Sequence, residues 1–439
     1  MEQGNAHIQK EMEISLQAGE LVGKLYDALL KQYNSPASEE ELKSLNMLCV
    51  RLVFCLYAED AGIFGGHNMF HDFLKKKAEK DIGSVRKALK ELFLVLDQKP
   101  EDRDPYEMDE DLAAFPYVNG GLFANEKIII PRFTQEIVDL LLSKASENFN
   151  WSSISPTIFG AVFESTLNPE TRRSGGMHYT SIENIHKVID PLFFDDLSAE
   201  LEEIAAIAVK KTRDRKLLDF QKKLSSLTFL DPACGSGNFL TETYLSLRRL
   251  ENKAIALQQE EQQVLGDFIN PIQVSIGQFY GIEINDFAVT VAKTALWIAE
   301  SQMMKETEEI VRMHLEFLPL TSYANIVEGN ALRVDWESVV SKDKLNYIMG
   351  NPPFHGFTFM TETQKADMQL IFPGVKNLDF VCGWYKKASD LSVGTAIETA
   401  FVSTNSIVQG ETVGRFWSFL PDDVINFAYR TFAWESEAS

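Results

Sequence analysis

The sequence predicts an α/β chain, with an all-helical N-terminal region of about 150 residues followed by a doubly wound, mostly parallel sheet. Up to Ser155 the apolar residues recur at helical spacing. From about residue 177, short runs rich in Val, Ile and Phe alternate with helical stretches. Three of those runs end in loops that hold an acid or an amide, the place where open sheets of this kind bind ligands.

In the first region, Leu16, Leu21, Val22, Leu25 and Leu29 fall near one face of residues 8–33, and Asn34-Ser35-Pro36 ends the run. Ser38 followed by Glu41 has the spacing of a capping box. It opens a second helix through Leu45, Leu48, Leu52 and Cys55 to about Ala61, where Gly62 and Gly65-Gly66 stop it. Further helices are expected over 81–97 and 134–145. Glu101-Asp102-Arg103-Asp104-Pro105 through Asp109-Glu110-Asp111 reads as a charged, solvated surface loop. The polar stretch from Ser146 to Ser155 marks a boundary, giving a helical domain, 1–150, and a second domain, 151–439. There, strands are expected at 226–231, 277–284, 324–328, 345–350, 398–404 and 423–429, with helices such as 238–265 and 286–302 between them.

Composition narrows the class. The 439 residues suit two or three domains, and a 45% hydrophobic content can bury a sizeable core. No apolar run reaches the roughly 18 residues of a membrane span. Met1-Glu2-Gln3-Gly4-Asn5 lacks the pattern of a signal peptide. Cys49, Cys55, Cys234 and Cys382 are too scattered for a disulfide framework or a metal-ligand pair. These features describe a reduced, cytoplasmic protein with no metal site. Forty-two basic against 64 acidic residues give a net charge of −22, so any contact with nucleic acid must rely on a local basic surface.

Three strings carry chemistry. Thr228-Phe229-Leu230-Asp231-Pro232-Ala233-Cys234-Gly235-Ser236-Gly237-Asn238-Phe239 is an apolar strand that ends at an acid, enters a glycine turn and opens a helix. Gly235 and Gly237 let the backbone approach a ligand closely. The string lacks the three glycines of the dinucleotide fingerprint. Tyr280-Gly281-Ile282-Glu283-Ile284-Asn285 places a second acid, Glu283, at the end of the next strand, where a carboxylate can accept from two ribose hydroxyls. The separation of Asp231 from Glu283 exceeds the dinucleotide spacing of about 20 residues, as an inserted helix and loop over 251–276 explains. Tyr347-Ile348-Met349-Gly350-Asn351-Pro352-Pro353-Phe354 is a third strand entering a stiff loop. The Asn351 side-chain oxygen and the Pro352 carbonyl can accept from both N–H bonds of a planar amine, and Phe354 offers a face for its ring. A Pro-rich turn alone accounts for the prolines but not for Asn351 and Phe354.

These strings resemble the motifs of class I methyltransferases, and Asn-Pro-Pro-Phe resembles the subset that acts on planar amino groups. Gly176-Met177-His178-Tyr179-Thr180-Ser181 looks like the upstream cofactor motif of the gamma arrangement, and Val327-Glu328-Gly329-Asn330-Ala331-Leu332 like a strand end at the cofactor's adenine. The resemblance implies a Rossmann-like fold with a mixed sheet and S-adenosylmethionine as cofactor. Tyr179 and Thr180 would meet its methionine end, beside Asp231 and Ala233. Glu283 would hold the ribose, and Ile284, Asn330 and Ala331 would frame the adenine. Leu378-Asp379-Phe380 resembles a weaker motif lining the cofactor. The reaction implied is methylation of N6 of a flipped adenine in double-stranded DNA, with Asn351, Pro352 and Phe354 catalytic.

Most of the chain resembles the middle of fused type II restriction–modification enzymes of the MmeI kind. Phe54-Cys55-Leu56-Tyr57-Ala58-Glu59-Asp60-Ala61-Gly62 looks like their helical spacer, and Ile158-Phe159-Gly160-Ala161-Val162-Phe163-Glu164 like the join. Gln364-Lys365-Ala366-Asp367-Met368 and Tyr429-Arg430-Thr431-Phe432-Ala433-Trp434 fit as well, and Phe432 resembles a residue that helps hold the flipped base. Such enzymes continue into a final strand and a target-recognition domain, so the resemblance implies a core without that domain and without a nuclease. Asp27 with Glu41-Leu42-Lys43 has passable nuclease spacing, but Glu41 is accounted for as a cap. Other readings are the modification subunit of a multisubunit restriction system, a protein or RNA amino-methyltransferase, and a non-catalytic relic. A cytosine-N4 enzyme would more often carry Ser at position 351.

Overall fold

The computed structural model describes residues 2–104, 106, 108–118, 121–124, 128–167, 180–259, 271–315 and 324–429. The chain divides into two compact units, one of residues 1–178, 293–304 and 314–323 and the other of 179–292, 305–313 and 324–439.

The first unit holds α1 (Glu2–Leu30), α2 (Glu39–Asp60), α3 (Met69–Lys80), α4 (Ile82–Asp97), α5 (Glu110–Ala113), α6 (Gln135–Asp139) and α7 (Pro156–Leu167). Ser38 caps α2 as its spacing predicts. Ser38 Oγ accepts from Glu41 N at 3.2 Å, while the Glu41 carboxylate accepts from Ser38 N at 2.8 Å and from Asn34 Nδ2 at 2.7 Å. Asp27 and Lys43 also lie on helices, so these residues do not form the strand-borne set that nuclease chemistry needs. From Leu48 to Glu59, α2 is buried on every side, the mark of a helix inside its unit. Its Arg51 donates from Nε to the Leu122 carbonyl at 2.9 Å and stacks over Phe93 and Phe123.

The charged stretch after residue 100 lies at the surface as expected, and it is also tied down. Lys77 pairs with Asp109 at 2.6 Å and Lys76 with Asp111, which ties α5 to α3. Arg103 reaches the carbonyls of Gln98, Val95 and Phe115. The stretch is therefore pinned at both ends by ion pairs and a guanidinium fork.

The second unit runs α8 (Ile182–Ile189), α9 (Asp195–Ala205), α10 (Lys210–Ser226), β1 (Phe229–Asp231), α11 (Asn238–Gln259), β2 (Phe279–Glu283), α12 (Asp286–Val311), β3 (Asn325–Glu328), β4 (Tyr347–Gly350), α13 (Glu362–Ile371), α14 (Cys382–Ser392), β5 (Glu398–Phe401) and α15 (Glu411–Phe416). Residues 293–304 of α12 belong to the first unit. The strands pair in the order β3-β2-β1-β4-β5, and every described pairing is parallel. Phe229 stacks on Phe279 and Tyr347, its register partners, which fixes the three central strands to one another.

Five of the six expected strands form, each shorter than its apolar run. The sixth does not: residues 423–429 carry no strand pairing among the described residues, and Val424 is 83% exposed. β-branched composition alone made that segment look like a strand, and a strand also needs a neighbour to pair with. The antiparallel member expected of a mixed sheet is accordingly not among the described strands. All four cysteines are buried thiols. No described helix is long and apolar enough to cross a membrane.

Candidate active site

The order β3-β2-β1-β4-β5 reverses direction between β1 and β4, and a crevice at the carboxyl ends of these two strands is where such sheets bind ligands. Asp231 closes β1 and Gly350 closes β4, one residue before Asn351. The sequence forces this meeting to be close. Gly350 has φ +152°, and a Cβ there would collide with the Asp231 carboxylate. No other residue type lets the two strand ends approach in this way.

Asp231 is 1% exposed and accepts from Ala233 N at 3.0 Å. Burial pushes its carboxyl up to about 8, against the pull of the Ala233 N–H and with a further push from Glu283. Glu283 is also raised, chiefly by burial, against the N–H groups that face it. Its two oxygens accept from Gly235 N and Asn285 N, each at 2.9 Å. This locks the glycine turn to the end of β2, and Cys234 N adds a bond to the Ile282 carbonyl at 3.2 Å. Gly237, at φ +85°, lies so close to Ala292 on α12 that a Cβ would overlap it.

The far side of the crevice is formed by the segment after β3. Gly329 N donates to the Glu283 carbonyl at 2.8 Å, which brings Asn330 and Ala331 beside the acid. Ala331 is buried, and its carbonyl accepts from Trp336 Nε1 at 2.9 Å. Ile284 is 68% exposed, an apolar face left open next to a carboxylate. The Asn330 amide is held at both ends: Nδ2 donates to Asp367 and Oδ1 accepts from Leu332 N.

Asn351 stands opposite. Its Nδ2 donates to Thr180 Oγ1 at 3.1 Å, and its Oδ1 is buried with no hydrogen-bond partner among the described residues. A buried amide oxygen left unpaired costs free energy unless a donor arrives. Thr180 is 6% exposed and precedes Ser181, which caps α8. Pro352 is buried, and half-buried Phe354 packs against the apolar core that includes Leu332, Met360 and Met368. Asp379 accepts from Thr404 Oγ1 and Ser406 Oγ, both at 3.2 Å, tying the segment after β5 to the Leu378–Phe380 stretch. Trp384 Nε1 donates to the Pro232 carbonyl at 3.0 Å, which anchors the glycine turn from behind.

The crevice thus gathers Thr180, Asp231, Ala233, Gly235, Gly237, Glu283, Ile284, Asn330, Ala331, Asn351, Pro352 and Phe354 along the strand ends of one sheet. Tyr179 and Phe432 lie outside the described residues. Sequence reasoning gave no role to Asp367, Arg333, Thr404 or Ser406. Asp367 had one signal, its place in the Gln364–Met368 string that resembles the family, and the structure buries it on α13.

The geometry fits a nucleoside bearing positive charge. Glu283 uses one lone pair on each oxygen and keeps acceptor capacity for a pair of vicinal hydroxyls. A cation beside Asp231 would relieve a buried carboxylate that burial otherwise holds protonated.

The chain is similar to known proteins. The sequence profile described as MmeI, DNA-methyltransferase domain, matches residues 207–439, and that of the MmeI helicase spacer domain matches 43–123. DNA methyltransferase A of Bacillus subtilis (strain 168) is 38% identical over 438 residues, which is 98% of this chain and 48% of that protein. The solved structure of the Type IIL restriction-modification enzyme MmeI in complex with DNA is similar at a TM-score of 0.81 and 40% identity, over 92% of this chain and 52% of that one. The chain spans about half the length of each.

Proposed function

The chain belongs to the MmeI DNA-methyltransferase domain family, and from that premise we propose that it transfers the methyl group of S-adenosylmethionine to N6 of adenine in DNA, as part of a restriction–modification system. The observation that carries the reading is the buried Asn351 Oδ1 at the switch point of the sheet, which has no partner among the described residues. An exocyclic amine on a purine is a poor nucleophile because its lone pair is delocalised into the ring. Asn351 Oδ1 takes one of its N–H bonds and the Pro352 carbonyl takes the other. The nitrogen is then held toward tetrahedral geometry with its lone pair aimed at the methyl carbon, a contribution of positioning and electrostatics. Phe354 supports the base by stacking, after the base has left the duplex at a cost of a few kcal/mol.

When bound, S-adenosylmethionine supplies a methyl carbon on a positively charged sulfur. Glu283 would hold the ribose hydroxyls, while Ile284, Asn330 and Ala331 would frame the adenine ring. Thr180, Asp231 and Ala233 would line the methionine end, a role the family resemblance also gives to Tyr179. Transfer would join that methyl carbon to the nitrogen held by Asn351 and Pro352, the cofactor's sulfur keeping the electron pair of the bond that breaks. The amine nitrogen then sheds one proton to water past the two acceptors.

DNA in the complex of the MmeI relative supports the choice of substrate. Phe432 is a second surface for the flipped base in this reading. The test is calorimetry with S-adenosylmethionine alongside methyl transfer to DNA. The proposal requires both binding and transfer. Binding without transfer at any protein concentration would identify a scaffold.

A further inference from the structure

Asp367 joins two parts of the site that the sequence keeps apart. It is 2% exposed and lies on α13, the helix that opens directly after the Asn351–Met360 loop. Its Oδ2 accepts from Asn330 Nδ2 at 2.8 Å, and its Oδ1 accepts from Arg333 Nε at 2.6 Å. Both donors belong to the segment after β3. The helix is itself firmly started: Thr361 Oγ1 accepts from Gln364 N at 3.2 Å, and Gln364 Oε1 accepts from Thr361 N at 2.9 Å. β4 therefore fixes one end of the Asn351 loop and α13 fixes the other.

A buried carboxylate is a costly way to attach a helix, because it gives up hydration that an apolar contact would not require. Apolar attachment is already present, since Met360 and Met368 pack in one core with Ala331 and Leu332. What the carboxylate adds is direction. With Oδ1 accepting from Leu332 N and Nδ2 held by Asp367, the Asn330 amide has one orientation available.

We infer that Asp367 is a positioning residue that couples occupancy of the cofactor crevice to the posture of the Asn351 loop. The inference rests on the reading of Asn330 as part of the S-adenosylmethionine site. A ligand that settles against Asn330 and Ala331 steadies the segment from Asn330 to Arg333. Through Asp367 this steadies α13, and through α13 the loop that presents Asn351. Such coupling is reciprocal, so whatever loosens α13 also weakens the ligand.

The test uses Asp367→Asn, whose single oxygen cannot serve both donors and whose new N–H₂ faces one of them. Asp367→Leu accompanies it, keeping an apolar helix contact without either bond. S-adenosylmethionine affinity is read by calorimetry, and amide hydrogen exchange is read over residues 351–361 with and without that ligand. In the unaltered chain the ligand slows exchange in 351–361. In both variants affinity falls about tenfold, within the usual span of coupling between sites, and the ligand-induced protection of 351–361 is lost. Unchanged affinity and protection in either folded variant overturns the coupling and leaves Asp367 as a fastening of α13. Failure of the unaltered chain to bind S-adenosylmethionine overturns the functional reading, and the inference with it.

Discussion

Thr180 Oγ1 accepts a hydrogen bond from Asn351 Nδ2 at 3.1 Å, and in this arrangement the oxygen end of the amide is left for the crevice. With the nitrogen engaged, the oxygen is the buried atom that has no partner among the described residues. An amide turned the other way would present donors to an amine that needs acceptors.

Removing that oxygen should remove the reaction. Asn351→Ala is expected to lower the rate of methyl transfer by at least ~100-fold, the scale seen when one preorganised polar group is deleted from a reacting centre. S-adenosylmethionine affinity should stay within about twofold, because the proposed cofactor contacts lie elsewhere. Tritium transfer to DNA and calorimetry on the same preparation check both halves.

Thr180→Val keeps the shape and loses the acceptor, so the amide is free to turn. The expected result is slower turnover that Thr180→Ser largely restores. In the Asn351→Ala background, Thr180→Val should add little further loss, as expected of residues acting through one another. Additive effects on turnover would show that Thr180 acts independently of Asn351.

The Asp231–Gly350 approach predicts a steric failure. Gly350→Ala sets a methyl group against the Asp231 carboxylate at a positive φ. Stability should fall by more than about 1 kcal/mol, read as a shifted urea midpoint. A neutral substitution would mean that the strand ends separate at little cost.

Asp231 also predicts the pH dependence. Its carboxyl stands at about 8 in the folded chain against an ordinary 3.8. Between those values the folded chain holds a proton that the unfolded chain has released, so this stability is full below 3.8 and is lost as pH rises through about 8. Asp231→Asn should flatten that decline in urea titrations at several pH values. Binding of a cationic ligand should expel the proton, detectable by calorimetry in buffers of different ionisation enthalpy.

Much of this site was legible before any coordinates. Asp231, Glu283 and Asn351 each end an apolar run at a break in pattern, and a strand end in a doubly wound sheet is where chemistry collects. The Ser38–Glu41 cap was legible because it is local. What was hidden depends on distance along the chain. Thr180 and Asn351 are separated by 171 residues, and Asn330 and Asp367 by 37, so no spacing rule reports them. α3 was obscured by its Lys75-Lys76-Lys77 run, which masks an apolar face of Phe70, Phe73 and Leu74. Residues 423–429 were misleading for the opposite reason, since a strong local pattern there has no pairing partner among the described residues.

The central claim is the identity of the acceptor atom. The purified chain is incubated with DNA and S-adenosylmethionine carrying a deuterated methyl group, and the DNA is digested to nucleosides for mass spectrometry. The account predicts label in N6-methyldeoxyadenosine alone, with steep salt sensitivity, and at least ~100-fold less from Asn351→Ala. Label in N4-methyldeoxycytidine, or equal label from Asn351→Ala, would contradict it.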